Sequence, residues 1–171
     1  MALVRYLTTA ETAETIRPHF EKLESRGHEV PNFLRILAHS PGVLEGFLAI
    51  NGALNKMKLD PKLRELAYIR VSEINSCGYC LHHHKRGARK AGLDERQLNE
   101  TESADSGAYD DLQQDVLRYA EEVTRNVVVS DELFDRLRQK LTEEELVELA
   151  ATVALANFTN RISETLRFEL P

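Results

Sequence analysis

The sequence predicts an all-α fold, and three observations carry that expectation. Apolar residues recur at three- and four-residue spacing over most of the chain. Helix start signals recur ahead of these stretches, among them a proline at a first helical position and a polar cap, and a glycine closes one of them. Alternating apolar runs flanked by hairpin turns are missing: the one strand-like stretch, Val127-Val128-Val129, is short and lies between two helical patterns.

In chain order, helices are expected over residues 10–26 and 31–39. Ser40-Pro41 then sets a capping residue before a proline whose missing N–H is harmless at the first helical position, and Val43, Leu44, Phe47, Leu48, Ile50 and Leu54 follow at helical spacing. Asp60-Pro61 repeats the device ahead of Leu63, Leu66, Ile69 and Ile74. A helix over 77–91 has Asn75 or Ser76 as its N-cap and Gly92 as its C-cap. The polar stretch Glu100 to Gly107 reads as a surface loop. Helices over 110–126 and 131–140 come next, the charges of Asp131 to Lys140 forming a solvated face. Thr142 with Glu145 makes a capping box. Leu146, Leu149, Ala150, Val153, Ala154, Ala156 and Phe158 follow with almost no charge until Arg161, so the last helix is expected to be buried on several sides.

Composition bounds the rest. The 171 residues suit a single domain, 1–171, with one core and one site. A net charge of −6 argues against a nucleic-acid partner, which needs a basic face. No uninterrupted apolar run is long enough to span a membrane, and Met1 to Arg17 carries Arg5, Glu11 and Glu14 among its apolar positions, so no membrane partner and no secretion signal are expected. With only two cysteines, a cytoplasmic setting follows, in which any disulfide is transient and chemical.

Those two cysteines, Cys77 and Cys80, are three residues apart near a helix N-terminus. The unpaired N–H groups there and the helix dipole favour anionic sulfur, raising the reactive thiolate fraction. At about 100° per residue His84 projects close to both cysteines, His83 reaches only the side of Cys80, and His82 points away. Peroxide reduction needs a thiolate to attack, a proton for the departing oxygen, and a second thiol to resolve the sulfenic acid. Glu65, Cys77, Cys80 and His84 supply those parts.

Glu65, eleven residues, Cys77-x-x-Cys80 and then His84 resembles the signature of the alkylhydroperoxidase AhpD-like members of the carboxymuconolactone decarboxylase superfamily. Pro31-Asn32-Phe33-Leu34, Ala38-His39-Ser40-Pro41, Ala156-Asn157-Phe158 and Asn160-Arg161 extend the similarity over residues 30–168. The resemblance implies a thiol-dependent peroxidase in which Cys80 forms the sulfenic acid, Cys77 resolves it into a redox-active disulfide, and Glu65 and His84 relay protons. It implies a hydroperoxide substrate, a dithiol or lipoyl-type reductant, and a homo-oligomer, trimeric or hexameric. The dipole alone favours Cys77 as attacker, since it lies nearer the helix N-terminus. Tyr79 stands where the best-known family member has a histidine, so Tyr79 and His83 are the candidate supporting residues and slower turnover is expected.

Four other readings compete. A zinc site would draw on Cys77, Cys80, His84 and His83 or Glu65, but no second ligand pair is present to complete it. A thioredoxin-like enzyme needs strands. The superfamily's lactone decarboxylases act, by resemblance, without the cysteine pair. A redox sensor would oxidise the same thiols without turnover. No Gly-rich dinucleotide motif follows a strand, so no cofactor is expected and the reductant comes from outside.

Overall fold

The structure is a computed structural model and describes residues 1–170. Among them are nine α-helices, one short 3-10 turn at Thr9–Glu11 and no strand, so the fold class is the all-α one that the sequence predicts. The helices are α1 (Arg17–Glu24), α2 (Asn32–Leu37), α3 (Pro41–Leu54), α4 (Pro61–Ile74), α5 (Gly78–Ala91), α6 (Glu95–Asn99), α7 (Asp111–Asn126), α8 (Asp131–Arg138) and α9 (Glu143–Thr165).

Local signals account for most boundaries. Asp60 Oδ1 accepts the N–H of Lys62 at 2.7 Å, with Pro61 opening α4 behind it. Thr142 and Glu145 close their box: the Thr142 N–H donates to Glu145 Oε2 at 2.9 Å and the Glu145 N–H to Thr142 Oγ1 at 3.3 Å. Gly92 ends α5 at φ 94. Other boundaries differ from expectation. The first helix is only Arg17–Glu24, because Thr8 and Glu11 cap a separate 3-10 turn and Pro18 restarts the chain. Ser40 makes no side-chain capping bond. Helix α6 is additional to the helices expected from periodicity, and Asp94 and Gln97 form its capping box. Val127 is not strand but a left-handed C-cap at φ 69.

The chain divides into two compact units, Met1–Lys56 with the segment from Ser163, and Met57–Ile162. In the first, Phe33 packs against Phe47 and Phe168 with ring centroids 4.8 and 5.7 Å apart. Its terminal segment is tied down where the Glu169 N–H donates to Tyr6 Oη at 2.9 Å and Asn32 Nδ2 donates to the Glu169 carbonyl at 3.1 Å.

The second unit is built around α4, which packs against α5 and α7. Leu63, Ala67 and Val71 of α4 meet Val116 and Ala120 of α7, Leu133 and Leu137 of α8, and Leu146, Leu149, Val153 and Ala156 of α9. Leu66 and Ile69, on the other side of α4, meet Ala88 of α5 and Leu117 of α7. Asp115 is buried in this unit and takes Arg136 Nε and Lys140 Nζ, each at 2.9 Å. The stretch 100–107 is anchored more firmly than a surface loop: Thr101 is buried and donates to Glu73 Oε1, and Arg118 pairs with Asp105.

Candidate functional site

Cys77 sits where two helix ends meet. Helix α4 closes with the Ser76 N–H on the Glu73 carbonyl at 3.0 Å and the Cys77 N–H on the Ser72 carbonyl at 2.8 Å, which requires Ser76 at φ 55. The next residue, Cys77, is itself the N-cap of α5, so neither Asn75 nor Ser76 holds that place. Its Sγ accepts the N–H of Cys80 at 3.3 Å, where a serine or aspartate oxygen would ordinarily serve. Cys80 is the third residue of α5, and the two sulfurs are joined as a disulfide with Cα atoms 5.3 Å apart. Both cysteines are buried. In the reduced protein the same N–H and the α5 dipole favour charge on the Cys77 sulfur.

One turn beyond Cys80, His84 meets Glu65 from α4, Nδ1 to Oε2 at 2.8 Å. Arg64 takes the other carboxylate oxygen through Nη2 at 2.7 Å and Nε at 3.2 Å. Burial pushes the Glu65 carboxyl up, but the hydrogen bond and charge of His84, then those of Arg64, outweigh it and hold the group below its ordinary value. An ionised carboxylate only accepts, so His84 Nδ1 carries the proton and Nε2 is the nitrogen left to exchange one. Because Cys77 lies outside the helical conformation, the spacing argument survives only for Cys80 and His84, which share a face at i, i+4.

Packing fixes the imidazole. The Tyr68 ring stacks on His84 with centroids 3.4 Å apart and planes 13° off parallel, and the Tyr68 hydroxyl pairs with Thr159 of α9. Burial raises the Tyr68 pKa well above the usual phenol value, so it stays neutral. Gly87, one turn beyond His84, leaves room for the carboxylate: a Cβ there would lie 3.0 Å from Glu65 Oε2. Beneath the α4–α5 junction, Asn75 Nδ2 donates to Asn157 Oδ1 at 3.0 Å and Asn160 Oδ1 at 3.1 Å, and Asn160 Nδ2 donates to Ser72 Oγ at 3.1 Å. Those two α9 asparagines thus hold the turn that presents Cys77.

The remaining candidates lie on another side of α5. Tyr79 is buried, with its ring 4.6 Å from that of His83. His83 is not a surface residue throughout: Nε2 is buried without a hydrogen-bond partner, and burial, with the charges of His82, His84 and Arg86, lowers its pKa to about 4. His82 is exposed. Among the described residues no group of three or more histidine, cysteine, aspartate or glutamate side chains is arranged to hold a metal, and no helix is long and apolar enough to cross a membrane.

Sequence and structure comparisons agree with this architecture. Residues 41–122 match the carboxymuconolactone decarboxylase family. The uncharacterised protein YdfG of Bacillus subtilis is 34% identical over 108 residues, 58% of this chain and 70% of that protein. An uncharacterised peroxidase-related protein from Ralstonia eutropha JMP134, described as an alkylhydroperoxidase AhpD core, superposes with a TM-score of 0.88 at 23% identity, over 99% of this chain and 92% of that one. The debrominase Bmp8 superposes with a TM-score of 0.83 at 22% identity, over 99% and 92%.

The chain belongs to the carboxymuconolactone decarboxylase family, and its fold is that of the AhpD-like structures.

Proposed function

We propose that the protein is a thiol-dependent peroxidase that reduces hydroperoxides through Cys77 and Cys80. The observation that carries this reading is the disulfide at the N-terminus of α5 with the His84–Glu65 pair one turn further on. A dithiol in that place has both a helix end that favours thiolate and a base that faces Cys80 along the same helix.

Reduced Cys80 gives its proton to His84 Nε2, whose ring Glu65 orients through Nδ1. The Cys80 thiolate attacks the distal oxygen of the hydroperoxide, the O–O bond breaks, and the imidazolium returns the proton to the departing alkoxide. Sulfur is oxidised to sulfenic acid and the peroxide leaves as alcohol. The Cys77 thiolate, stabilised by the Cys80 N–H, then displaces the sulfenic oxygen, which leaves as water with a proton, and the disulfide forms. An external dithiol of lipoyl or protein type returns two electrons and two protons by thiol–disulfide exchange. The redox-active group is the chain's own disulfide, so no bound cofactor is required. A lactone decarboxylase reading gives the sulfurs no task, and a sensor would stop after one oxidation.

The test is steady-state turnover. With dihydrolipoamide in excess, cumene hydroperoxide should be consumed over many cycles by the wild-type protein and not by Cys77→Ser or Cys80→Ser. Equal consumption by all three proteins contradicts the proposal. Consumption of a brominated aromatic with no consumption of peroxide would reassign the same sulfurs to reductive dehalogenation.

A further inference from the structure

Cys80 stands between two histidines of its own helix. At about 100° per residue, His84 projects about 40° to one side of Cys80 and His83 about 60° to the other. The peroxidase reading uses only the first of them. His84 Nδ1 is committed to Glu65, which leaves Nε2 to move a proton. Among the described residues no group bonds His83 Nε2, although that atom is buried. Almost every buried polar atom in a folded protein has a hydrogen-bond partner, so this one marks a place for a partner from outside the chain.

The ring that carries this nitrogen is held in place. Tyr79, one turn earlier, is buried with its ring centroid 4.6 Å from that of His83 and its plane tilted by 57°, and the His82 ring stands edge-on at 5.3 Å. Burial, with the charges of His82, His84 and Arg86, keeps the imidazole neutral at ordinary pH. A neutral ring protonated at Nδ1 offers Nε2 as an acceptor. The two histidines are therefore unlike: His84, paired with a carboxylate, is built to carry a proton, whereas His83 is built to accept a hydrogen bond and keep its own.

A hydroperoxide needs both. The oxygen that a thiolate attacks bears the hydrogen, and the oxygen that departs bears the alkyl group. We propose that His83 Nε2 accepts the O–H of the incoming hydroperoxide and so holds the attacked oxygen against Cys80, while His84 faces the departing one. The proposal rests on the peroxidase reading. In the step, the sulfur–oxygen bond forms and the O–O bond breaks. The hydrogen stays on the oxygen that becomes the Cys80 sulfenic acid, and the departing alkoxide takes its proton from the His84 imidazolium. His83 gains and loses no proton. It selects oxidants that carry a hydroperoxide O–H over electrophiles that carry none.

Stopped flow on Cys77→Ser protein, in which Cys80 is the one remaining thiol, tests this with two reagents. tert-Butyl hydroperoxide has the O–H; methyl methanethiosulfonate reads the reactivity and access of the same thiolate without one. His83→Phe keeps a ring against Tyr79, and His83→Leu is a second apolar replacement, so the answer does not depend on one variant folding. Both should oxidise about 10-fold more slowly than the parent, the worth of roughly one hydrogen bond to the substrate, and react with the thiosulfonate within about 2-fold of it. His83→Gln, which can place its amide oxygen near the position of Nε2, should recover oxidation to within about 3-fold of the parent. Melting temperatures of the apolar variants should not fall, since no internal hydrogen bond is lost. Apolar variants that oxidise at the parent rate would overturn the proposal while leaving the peroxidase reading intact. Equal losses with both reagents would place His83 on the sulfur instead of the substrate and would also overturn it, as would a glutamine variant no faster than the apolar ones. A parent that fails to react with the hydroperoxide at all would end the peroxidase reading and this proposal together.

Discussion

Replacing Gly87 with alanine sets two effects against each other, and the structure decides between them. In the middle of a helix the change should stabilise by roughly 0.5–1 kcal/mol through backbone entropy alone. Here the new Cβ would stand 3.0 Å from Glu65 Oε2 and 3.2 Å from Oε1, closer than ordinary van der Waals contact, so the carboxylate must retreat by a few tenths of an ångström. It has little freedom to do so, because Arg64 and His84 hold it through three hydrogen bonds. Weakening one hydrogen bond to a charged group forfeits about 1–2 kcal/mol, which cancels the helix gain. Net stability should therefore stay within about 1 kcal/mol of wild type, a shift of the melting temperature of no more than roughly 4 °C for a chain of this size. Activity has no such compensation, since His84 loses the carboxylate that orients it. The rate of thiol oxidation by peroxide in stopped flow should drop about 10-fold. An alanine variant that melts 2–4 °C higher, the propensity gain in full, and oxidises at the wild-type rate would refute the reasoning.

Four further outcomes follow from named contacts. Ser76→Gly should be neutral or stabilising by up to about 1 kcal/mol, because φ 55 suits glycine, whereas Ser76→Val should lose about 1–2 kcal/mol in urea unfolding and slow thiol oxidation by displacing Cys77. Asp115→Ala should lose roughly 2–3 kcal/mol: the carboxylate is buried, and the partial exposure of Arg136 and Lys140 tempers the cost of leaving them unpaired. Acid should destabilise the fold through Glu65 and Asp115, whose folded carboxyls sit below the ordinary 4.5 and 3.8. Their contribution is complete above those ordinary values and drains as pH falls toward the folded ones, because the unfolded chain takes up protons first. Half-buried Glu73, raised above 4.5 by desolvation, acts with the opposite sign just above that value, so urea midpoints should hold between pH 6 and about 5 and fall below pH 4; a flat profile down to pH 3 would contradict this. Finally, Tyr79→His should raise the peroxidase rate if a histidine between the cysteines speeds proton relay; an unchanged rate would remove that explanation of the departure.

Much of this site can be read in the sequence because its parts lie on two consecutive helices. Helical spacing puts His84 on the face of Cys80, and the Asp60-Pro61 start fixes α4 and hence Glu65. The same signals place most of α3, α4, α5, α7 and α9. What escapes depends on geometry that no local rule encodes. A thiol is not among the usual N-cap side chains, so local rules put the cap at Asn75 or Ser76 and Cys77 in the first turn. Ser76 occupies a left-handed position where glycine would have announced the turn. The stacking of Tyr68 on His84, the space left at Gly87 and the hold of Asn157 and Asn160 on Asn75 arise from packing between helices. Tyr68 did leave a trace, three residues after Glu65 on the same face of α4. Helix α6 shows the same capping box as α9, but at five residues it gives no periodicity to read.

The most direct test is a stoichiometric one on the reduced protein. One equivalent of an alkyl hydroperoxide is added, free thiols and remaining peroxide are counted, and the intact masses of Cys77→Ser and Cys80→Ser are recorded after the same treatment. The account predicts loss of two thiols per peroxide in the wild type, a single added oxygen atom on Cys80 in Cys77→Ser, and no oxygen in Cys80→Ser. Unconsumed peroxide with both thiols intact would contradict it, and an added oxygen on Cys77 in Cys80→Ser alone would exchange the roles of the two sulfurs.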